Sequence, residues 1–392
     1  MISLFFQYGV ILLWTLLLAI NTRIFKIPSN FIYAFLGVAL LFSLLILYKN
    51  SRILKQKSFL PLTIIIIINF IYWALFDQTY NSMLYVLAKT STFLLIMISV
   101  YYYYDFLVKN FAKIVIYIGA FVLIVGLIIN THYFGGRYTG PFGNPNSLGW
   151  LSSLLFGLVY LTAEKSYKKY ALLLLFLAMV MMSGSRAALG GVVLAILLKG
   201  SISFNKVFIL ALGLSALLVA QNIASNFGIH TGLERIIKSE KSNDLLSGRD
   251  KEYTLGLLTI KEAPLTGHGL DKYAWISPHI VKISGLLRKD PFFVGNPHNS
   301  YIAMFIMYGI PLGLFVFLML SFYVVKIFLS RIQRQEILFM TLFSFIAATF
   351  ESYIFGVSGF EGLIFWFSLT LGLAYIERSK KTSPLGKQYH AV

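Results

Sequence analysis

Three short polar strings in an otherwise apolar chain carry the residue types best suited to chemistry. They are residues 140–147, 183–186 and 295–300, and each directly precedes an apolar run. A helix that begins at such a string presents free N–H groups and a partial positive charge, which together attract anions. The same Asn, Ser and Pro residues are also common helix caps and first-turn residues, so the strings alone admit either interpretation.

Arginine side chains lie in or near these strings. Arg186 ends the second string, Arg137 precedes the first, and Arg249 lies in the segment before the third. The planar guanidinium group binds two phosphate oxygens at once, which suits Arg better than Lys to phosphate. We therefore expect a pocket for a diphosphate that uses Arg186 and Arg249, with Arg137 as a further candidate.

Histidine is the side chain best suited to proton transfer near neutral pH, and His298 is the leading candidate. It follows Pro297 and is expected in the first turn of a long helix, where the positive helix end favours the neutral imidazole that a general base requires. The alternative is a histidine that only caps the helix.

Several other chemistries are disfavoured by the residues present. The chain has no Cys, which excludes disulfides, thiolate metal sites and a Cys nucleophile. It has no His-Glu-x-x-His, no Asp-x-Asp and no Walker glycine loop, so a metal or nucleotide centre is poorly supported. Ser183 and Ser185 have no placed Asp–His partner. We expect neither a cofactor nor a metal.

The elements that position these residues are membrane helices. Of the 392 residues 58% are apolar and 12% are charged, whereas a soluble protein carries roughly 25% charged residues. The sequence predicts an all-α polytopic membrane protein with about 12 transmembrane helices, the first of them retained rather than cleaved as a signal peptide. The predicted spans are 4–20, 31–48, 59–76, 84–104, 112–130, 147–162, 170–183, 187–199, 205–223, 299–328, 336–354 and 359–376.

The net charge of +18 points to membrane orientation rather than to nucleic acid, because the basic residues lie mainly in short loops. With the N-terminus inside, the inner loops and the tail hold 18 Lys and Arg and the short outer loops hold 4. The positive-inside rule therefore predicts cytoplasmic termini and an outward-facing site. The tetra-tyrosine Tyr101–Tyr104 falls at the inner interface on this map, as an aromatic belt would.

One connection is too long to be a simple link. Residues 224–297 form an outer segment of 74 residues that contains two capping boxes, Thr231-x-x-Glu234 and Ser247-x-x-Asp250. The second precedes a helical apolar pattern that ends at Pro264 and a Gly267-His268-Gly269 turn. The predicted organisation is helices 1–9 over 1–223, a mostly helical extracytoplasmic layer over 224–297, helices 10–12 over 298–376, and a cytoplasmic tail over 377–392.

The motifs together resemble the O-antigen ligase and polymerase superfamily of membrane glycosyltransferases. The resemblance covers residues 137–313 and is carried by the order and spacing of several short motifs. They are Arg137-Tyr-Thr-Gly-Pro-Phe-Gly-Asn-Pro-Asn146, Ser183-Gly-Ser-Arg186-Ala, Gly248-Arg249, Pro264-x-x-Gly267-x-Gly269, Pro297-His298-Asn299-Ser300-Tyr301 and Gly309.

The resemblance implies a GT-C-like, metal-independent enzyme of the bacterial inner membrane. It would transfer a glycan from undecaprenyl diphosphate to an acceptor glycan at the periplasmic face. By the same resemblance, Arg186 and Arg249 hold the diphosphate and His298 is the base. Arg137, His268, Asn299 and Tyr301 lie in the motifs with less defined binding roles.

Four functions remain open from the sequence. Superfamily ligases often carry a His before and a Glu after the His-Asn pair, where this chain has Asn296 and Ser300. That departure favours an O-antigen polymerase, which would be expected to have a chain-length regulator, over a ligase that acts on lipid A–core. A polysaccharide-lipid flippase should lack the 74-residue outer segment and carry charges within its spans, where only Lys89 is plainly mid-span. A peptidoglycan polymerase would want an outer catalytic Asp, for which Asp250 and Asp271 are candidates.

Overall fold

The computed structural model describes residues 2–28, 30–133, 135–200, 230–231, 249–271, 297–330 and 332–382. This part of the chain contains eleven α-helices, two short 3₁₀ turns (Ser51–Lys55 and Lys57–Phe59) and one two-residue parallel pairing of β1 (Gly135–Gly136) with β2 (His230–Thr231). The helices are α1 Ile2–Asn21, α2 Asn30–Lys49, α3 Leu60–Phe76, α4 Tyr80–Ile129, α5 Pro145–Thr162, α6 Tyr167–Ser183, α7 Arg186–Leu198, α8 Arg249–Glu262, α9 Ser300–Leu329, α10 Gln335–Ala347 and α11 Phe360–Thr382.

The all-α membrane fold is confirmed. Among the described residues, six helical segments are long and apolar enough to cross a membrane, and α7 and α10 are shorter apolar helices. The predicted span 205–223, the first capping box and most of the predicted outer layer lie outside the described residues. The count of twelve spans stays a prediction.

The longest helix, α4, is two antiparallel helices joined at Tyr103, whose φ of −120° and ψ of 25° break the helix. Near its first turn, Asn81 donates to Asp271 at 2.9 Å, and just after its last turn Asn130 donates to the Gly140 carbonyl at 3.0 Å. Both of these contacts lie at the end of the bundle that also holds the starts of α5 and α9. We call this the site end, and the opposite end, where Tyr103 lies, the far end.

The turn at Tyr103 contains no loop. The Tyr103 hydroxyl lies 2.7 Å from Ser3 Oγ, and Asn50 donates to the Tyr102 hydroxyl at 3.0 Å. The tyrosines therefore tie the bend to the start of α1 and the end of α2. The predicted break between spans 84–104 and 112–130 is wrong in one respect: Lys109 and Lys113, expected in an inner loop, lie inside the helix because a single residue makes the reversal.

Helix α9 also bends within its length, at Gly309, where φ is +77° and Pro311 follows. The loop 264–270 packs against this bend, with backbone hydrogen bonds from His268 to Ile306 and from Ile310 to Pro264 at 2.7 Å each. A Cβ at Gly309 would lie 2.5 Å from the Leu265 carbonyl oxygen, closer than real contacts allow. Glycine is therefore required where the loop crosses the helix.

The predicted span 336–354 is too long at its C-terminal side. Helix α10 ends at Ala347, and residues 348–359 form an irregular segment at the site end. Lys89 binds the backbone of this segment: its buried ammonium group donates to the carbonyls of Ile354 at 3.1 Å and Gly356 at 2.7 Å. Non-helical backbone at membrane depth needs such partners, since lipid supplies none.

Candidate functional site

His298 lies at the site end in a conformation that few residues adopt. Its φ is +44°, in the left-handed region, where a residue other than glycine is strained by about 1–3 kcal/mol. Helix α9 begins at Ser300 with Asn299 as its cap, so His298 precedes the cap. The expectation that His298 lies in the first helical turn is therefore wrong, because the Asn299 side chain, not His298, completes the helix end.

The imidazole of His298 is held by a carboxylate from the irregular segment. Its Nδ1 lies 3.1 Å from Glu351 Oε2, and the two side chains are 28% and 22% exposed. Pairing Nδ1–H with a carboxylate fixes the tautomer, so that Nε2 carries the lone pair that can accept a proton.

Glu351 also joins His298 to an arginine through one amide. Asn146 Nδ2 donates to Glu351 Oε1 at 2.6 Å, and Arg137 Nη2 donates to Asn146 Oδ1. A second nitrogen of Arg137, Nε, donates to the Ser183 carbonyl at 2.8 Å. A continuous hydrogen-bonded chain thus runs from the His298 imidazole to the Arg137 guanidinium.

Arg186 follows a tight turn that begins at Ser183, the residue whose carbonyl Arg137 contacts. Gly184 ends α6 with φ of +61°, and Ser185 caps α7, whose first residue is Arg186. Helix α7 packs closely on α5, since a Cβ at Gly149 would lie 2.7 Å from the Ser185 Cβ. The starts of α5 and α7 therefore adjoin.

Arg249 is the first residue of α8, and the contacts of that helix locate it. Tyr253, one turn further on, donates to the Thr349 carbonyl at 2.9 Å, two residues from Glu351. A Cβ at Gly256 would lie 2.6 Å from Ile302 and 3.5 Å from Pro297, so α8 packs on the start of α9. The backbone of Arg249 is thereby brought to the site end.

The other three predicted binding residues have structural contacts. Asn299 Oδ1 accepts from the backbone N–H groups of Tyr301 and Ile302, at 2.9 and 3.1 Å. The Tyr301 hydroxyl donates to the Phe345 carbonyl at 2.6 Å, and His268 Nε2 lies 2.7 Å from the Thr259 carbonyl oxygen. These contacts cap α9, tie it to α10 and fix the loop after α8.

Sequence reasoning missed Glu351 and gave Asn146 no role beyond its motif. A signal for Glu351 was present, because it is an acidic residue within a predicted apolar span, and such residues are functional candidates by default. For Asn146 the sequence offers only the capping motif, in which Asn144 is the residue that caps α5.

The comparison with protein families now bears on this geometry. A family model described as O-antigen ligase matches residues 171–318, a range that includes Arg186, Arg249 and His298. Over that part of the chain, the match supports the resemblance to the O-antigen ligase and polymerase superfamily. Members of this superfamily are glycosyltransferase-like enzymes of O-antigen assembly, and the several apolar helices of this chain support a multi-pass membrane protein. A search of curated proteins finds no match.

Proposed function

We propose that this protein is an O-antigen polymerase. It transfers a growing glycan from undecaprenyl diphosphate to the next lipid-linked repeat unit at the periplasmic face of the inner membrane. The observation that carries the proposal is the His298–Glu351 pair at the site end, joined through Asn146 to Arg137.

The reaction needs a base on one side and an anion site on the other. His298 Nε2 takes the proton of an acceptor hydroxyl while that oxygen attacks the anomeric carbon. The bond from the anomeric carbon to the diphosphate oxygen breaks, and the polyprenyl diphosphate leaves with both bonding electrons. Such a leaving group departs readily once its charge is stabilised, the role that we assign to arginines and helix N-termini.

Arg186, Arg249 and Arg137 supply the positive charge in this proposal. Arg186 starts α7, Arg249 starts α8, and Arg137 contacts the carbonyl of Ser183 just before α7. Guanidinium groups at helix starts combine a bidentate donor with the positive end of a helix dipole. Neither the base nor the anion site in this scheme uses a metal.

The choice of polymerase over ligase rests on the sequence around His298. Ser300, where ligases often carry Glu, accepts from the backbone N–H groups of Tyr353 and Ile354 and donates to the Glu351 carbonyl. Its hydroxyl thus holds the segment that brings Glu351 to His298. The alternative is an O-antigen ligase that delivers the glycan to lipid A–core, and the matching family supports both kinds of enzyme equally.

The proposed orientation of the protein in the membrane follows from the distribution of its basic residues. The far end holds Lys49, Arg52, Lys55, Lys165 and Lys168, which supports a cytoplasmic far end and a periplasmic site. The partners that we propose are the undecaprenyl-diphosphate-linked oligosaccharide, the acceptor glycan, membrane lipid and a chain-length regulator.

A lipopolysaccharide gel of a deletion strain, with and without the gene restored, tests the function. A core band with one repeat unit and no ladder is expected for a polymerase. Bare core, with long glycan still made on the lipid carrier, would replace that proposal with the ligase. An unchanged ladder would contradict both.

A further inference from the structure

A cavity of about 510 Å³ opens beside the His298–Glu351 pair. It lies at the site end among residues of α1, α4, α5, α9 and the segment 348–359. Pro297 and Ser300 line it on either side of His298, and Glu351 lines it directly. A molecule bound in this cavity would therefore lie next to the proposed base. Its volume is within the usual range for small-molecule sites, roughly 300–1,000 Å³.

The charge of the cavity is opposite to what a diphosphate requires. The carboxylates of Asp271 and Glu351 line it together with the carboxyl group of Glu361, and none of the described lining residues is Lys, Arg or His. Arg137 instead approaches Asn146 through the amide oxygen, whereas the amide nitrogen of Asn146 faces Glu351. Like charges repel strongly where water is limited, so the donor diphosphate belongs with the arginines and not in the cavity.

The same lining suits the hydroxyl groups of a sugar. Carboxylates accept hydrogen bonds from hydroxyls, and the amides of Asn21, Asn81 and Asn146 both donate and accept. Trp150 adds an aromatic surface to the lining.

We propose that this cavity binds the terminal sugar of the acceptor glycan and selects one without acidic groups. The proposal rests on the glycosyl transfer proposed above and adds the class of acceptor. The carboxylates of Asp271 and Glu351 exclude uronic acids and phosphorylated sugars by repulsion, while neutral hydroxyls bind to them. The acceptor hydroxyl is thereby held on the carboxylate side of Asn146 and the diphosphate on the arginine side.

The test exploits the absence of Cys from the chain, because one introduced Cys is then unique. Val357→Cys places a thiol in the cavity lining, and Thr131→Cys places one on the exposed site end as a matched control. Each full-length variant in nanodiscs is treated with a cationic trimethylammonium-ethyl or an anionic sulfonatoethyl methanethiosulfonate. We expect the cationic reagent to react at least about tenfold faster than the anionic one at position 357, relative to the same ratio at position 131. Equal ratios at the two positions would overturn the charge argument.

The second arm asks what protects the thiol at position 357. The probes are inorganic diphosphate and the oligosaccharides that mild acid releases from the lipids of the host envelope. We expect the oligosaccharides to slow modification at least threefold and diphosphate to have no effect. Protection by diphosphate, or none by oligosaccharides at 10 mM, would overturn the proposal.

The two proposals fail in different ways. If deletion of the gene leaves the lipopolysaccharide ladder unchanged, the proposed function is wrong, whereas the reagent ratio and the protection are still measured on the same protein. If the ladder is lost and the ratios at positions 357 and 131 are equal, only the acceptor site is wrong.

Discussion

At the scale of single residues, the site depends on contacts between positions far apart in sequence. His298 and Glu351 are 53 residues apart, and the carboxylate reaches the imidazole only because α10 ends at Ala347 and the chain turns back over the site. A general base works when its ring is held in one orientation and one tautomer. Glu351 is in this sense a positioning residue for His298.

Replacing Glu351 with Gln should lower the rate of transfer by at least about tenfold, because the amide can no longer hold Nδ1–H as an anion does. The maximal rate should fall while the apparent Michaelis constant for the donor changes little. The measurement is transfer by purified protein with lipid-linked donor. Glu164→Gln, an exposed change at the far end, is the matched control and should retain full activity.

His298→Ala and Arg249→Ala should each abolish activity while membrane insertion stays intact. The first removes the proton acceptor and the second a cation for the leaving group, a loss of roughly 10²-fold or more. Lys261→Ala is the control for Arg249→Ala, since it removes a positive charge from an exposed position in the last turn of the same helix. A normal glycan ladder from either site variant would remove that residue from the mechanism.

At the scale of elements, the loop 264–270 and the bend of α9 are one joint. Tyr72 donates to the Thr266 carbonyl at 2.5 Å, Asp77 accepts from the Leu270 N–H at 2.6 Å, and the loop crosses α9 at Gly309. Helix α8, which carries Arg249, is therefore connected to α9, which follows His298. In the mechanism proposed above, this joint holds the anion site and the base in one arrangement.

Gly309→Ala should destabilise the protein by about 1–3 kcal/mol, because the new Cβ meets a carbonyl oxygen at a backbone φ that favours glycine. The control is Gly37→Ala in α2, where a Cβ meets nothing within 4 Å. Thermal unfolding of the two variants in the same detergent provides the comparison. Equal melting temperatures would show that the joint adapts.

Hydropathy predicted most helices but could not predict how the site is closed. The starts of α5, α7 and α9 follow from Asn144, Ser185 and Asn299, whose caps are local features of the sequence. The end of α10 does not, since residues 348–354 fall within a predicted apolar span, whereas in the structure Lys89 and Ser300 bind the backbone of this segment. Pairings of that kind depend on tertiary structure.

At the scale of the whole molecule, the charges are divided between the two ends. Basic residues crowd the far end, around the C-terminal end of α5 and the tyrosine bend, where Arg378 lies 4.1 Å from the Tyr104 ring centre. The site end holds the base, its carboxylate and the cavity. In the function proposed above, an outward-facing enzyme without nucleotide takes its energy from the bond that it breaks, and a lipid diphosphate provides such a bond.

The orientation predicts which thiols react from outside the cell. In intact spheroplasts, a membrane-impermeant maleimide should label Thr131→Cys and leave Glu164→Cys unlabelled until the membrane is permeabilised. Position 131 follows α4 at the site end, and position 164 follows α5 at the far end. The reverse pattern would place the site in the cytoplasm.

The loopless reversal of α4 has a consequence for the surrounding lipid. Each half of α4 is roughly 35–40 Å long at about 1.5 Å per residue, close to the thickness of a bilayer with part of its headgroup regions. Tyrosines at the bend anchor that end of α4 at a membrane interface. Because the bend has no loop, the two halves of α4 cannot change their length to match a thinner or thicker bilayer. The distance of a lipid-linked donor headgroup from the far interface depends on bilayer thickness, whereas the distance of the His298 imidazole from the tyrosines is fixed. Turnover should then peak at one acyl-chain length and fall in both thinner and thicker bilayers.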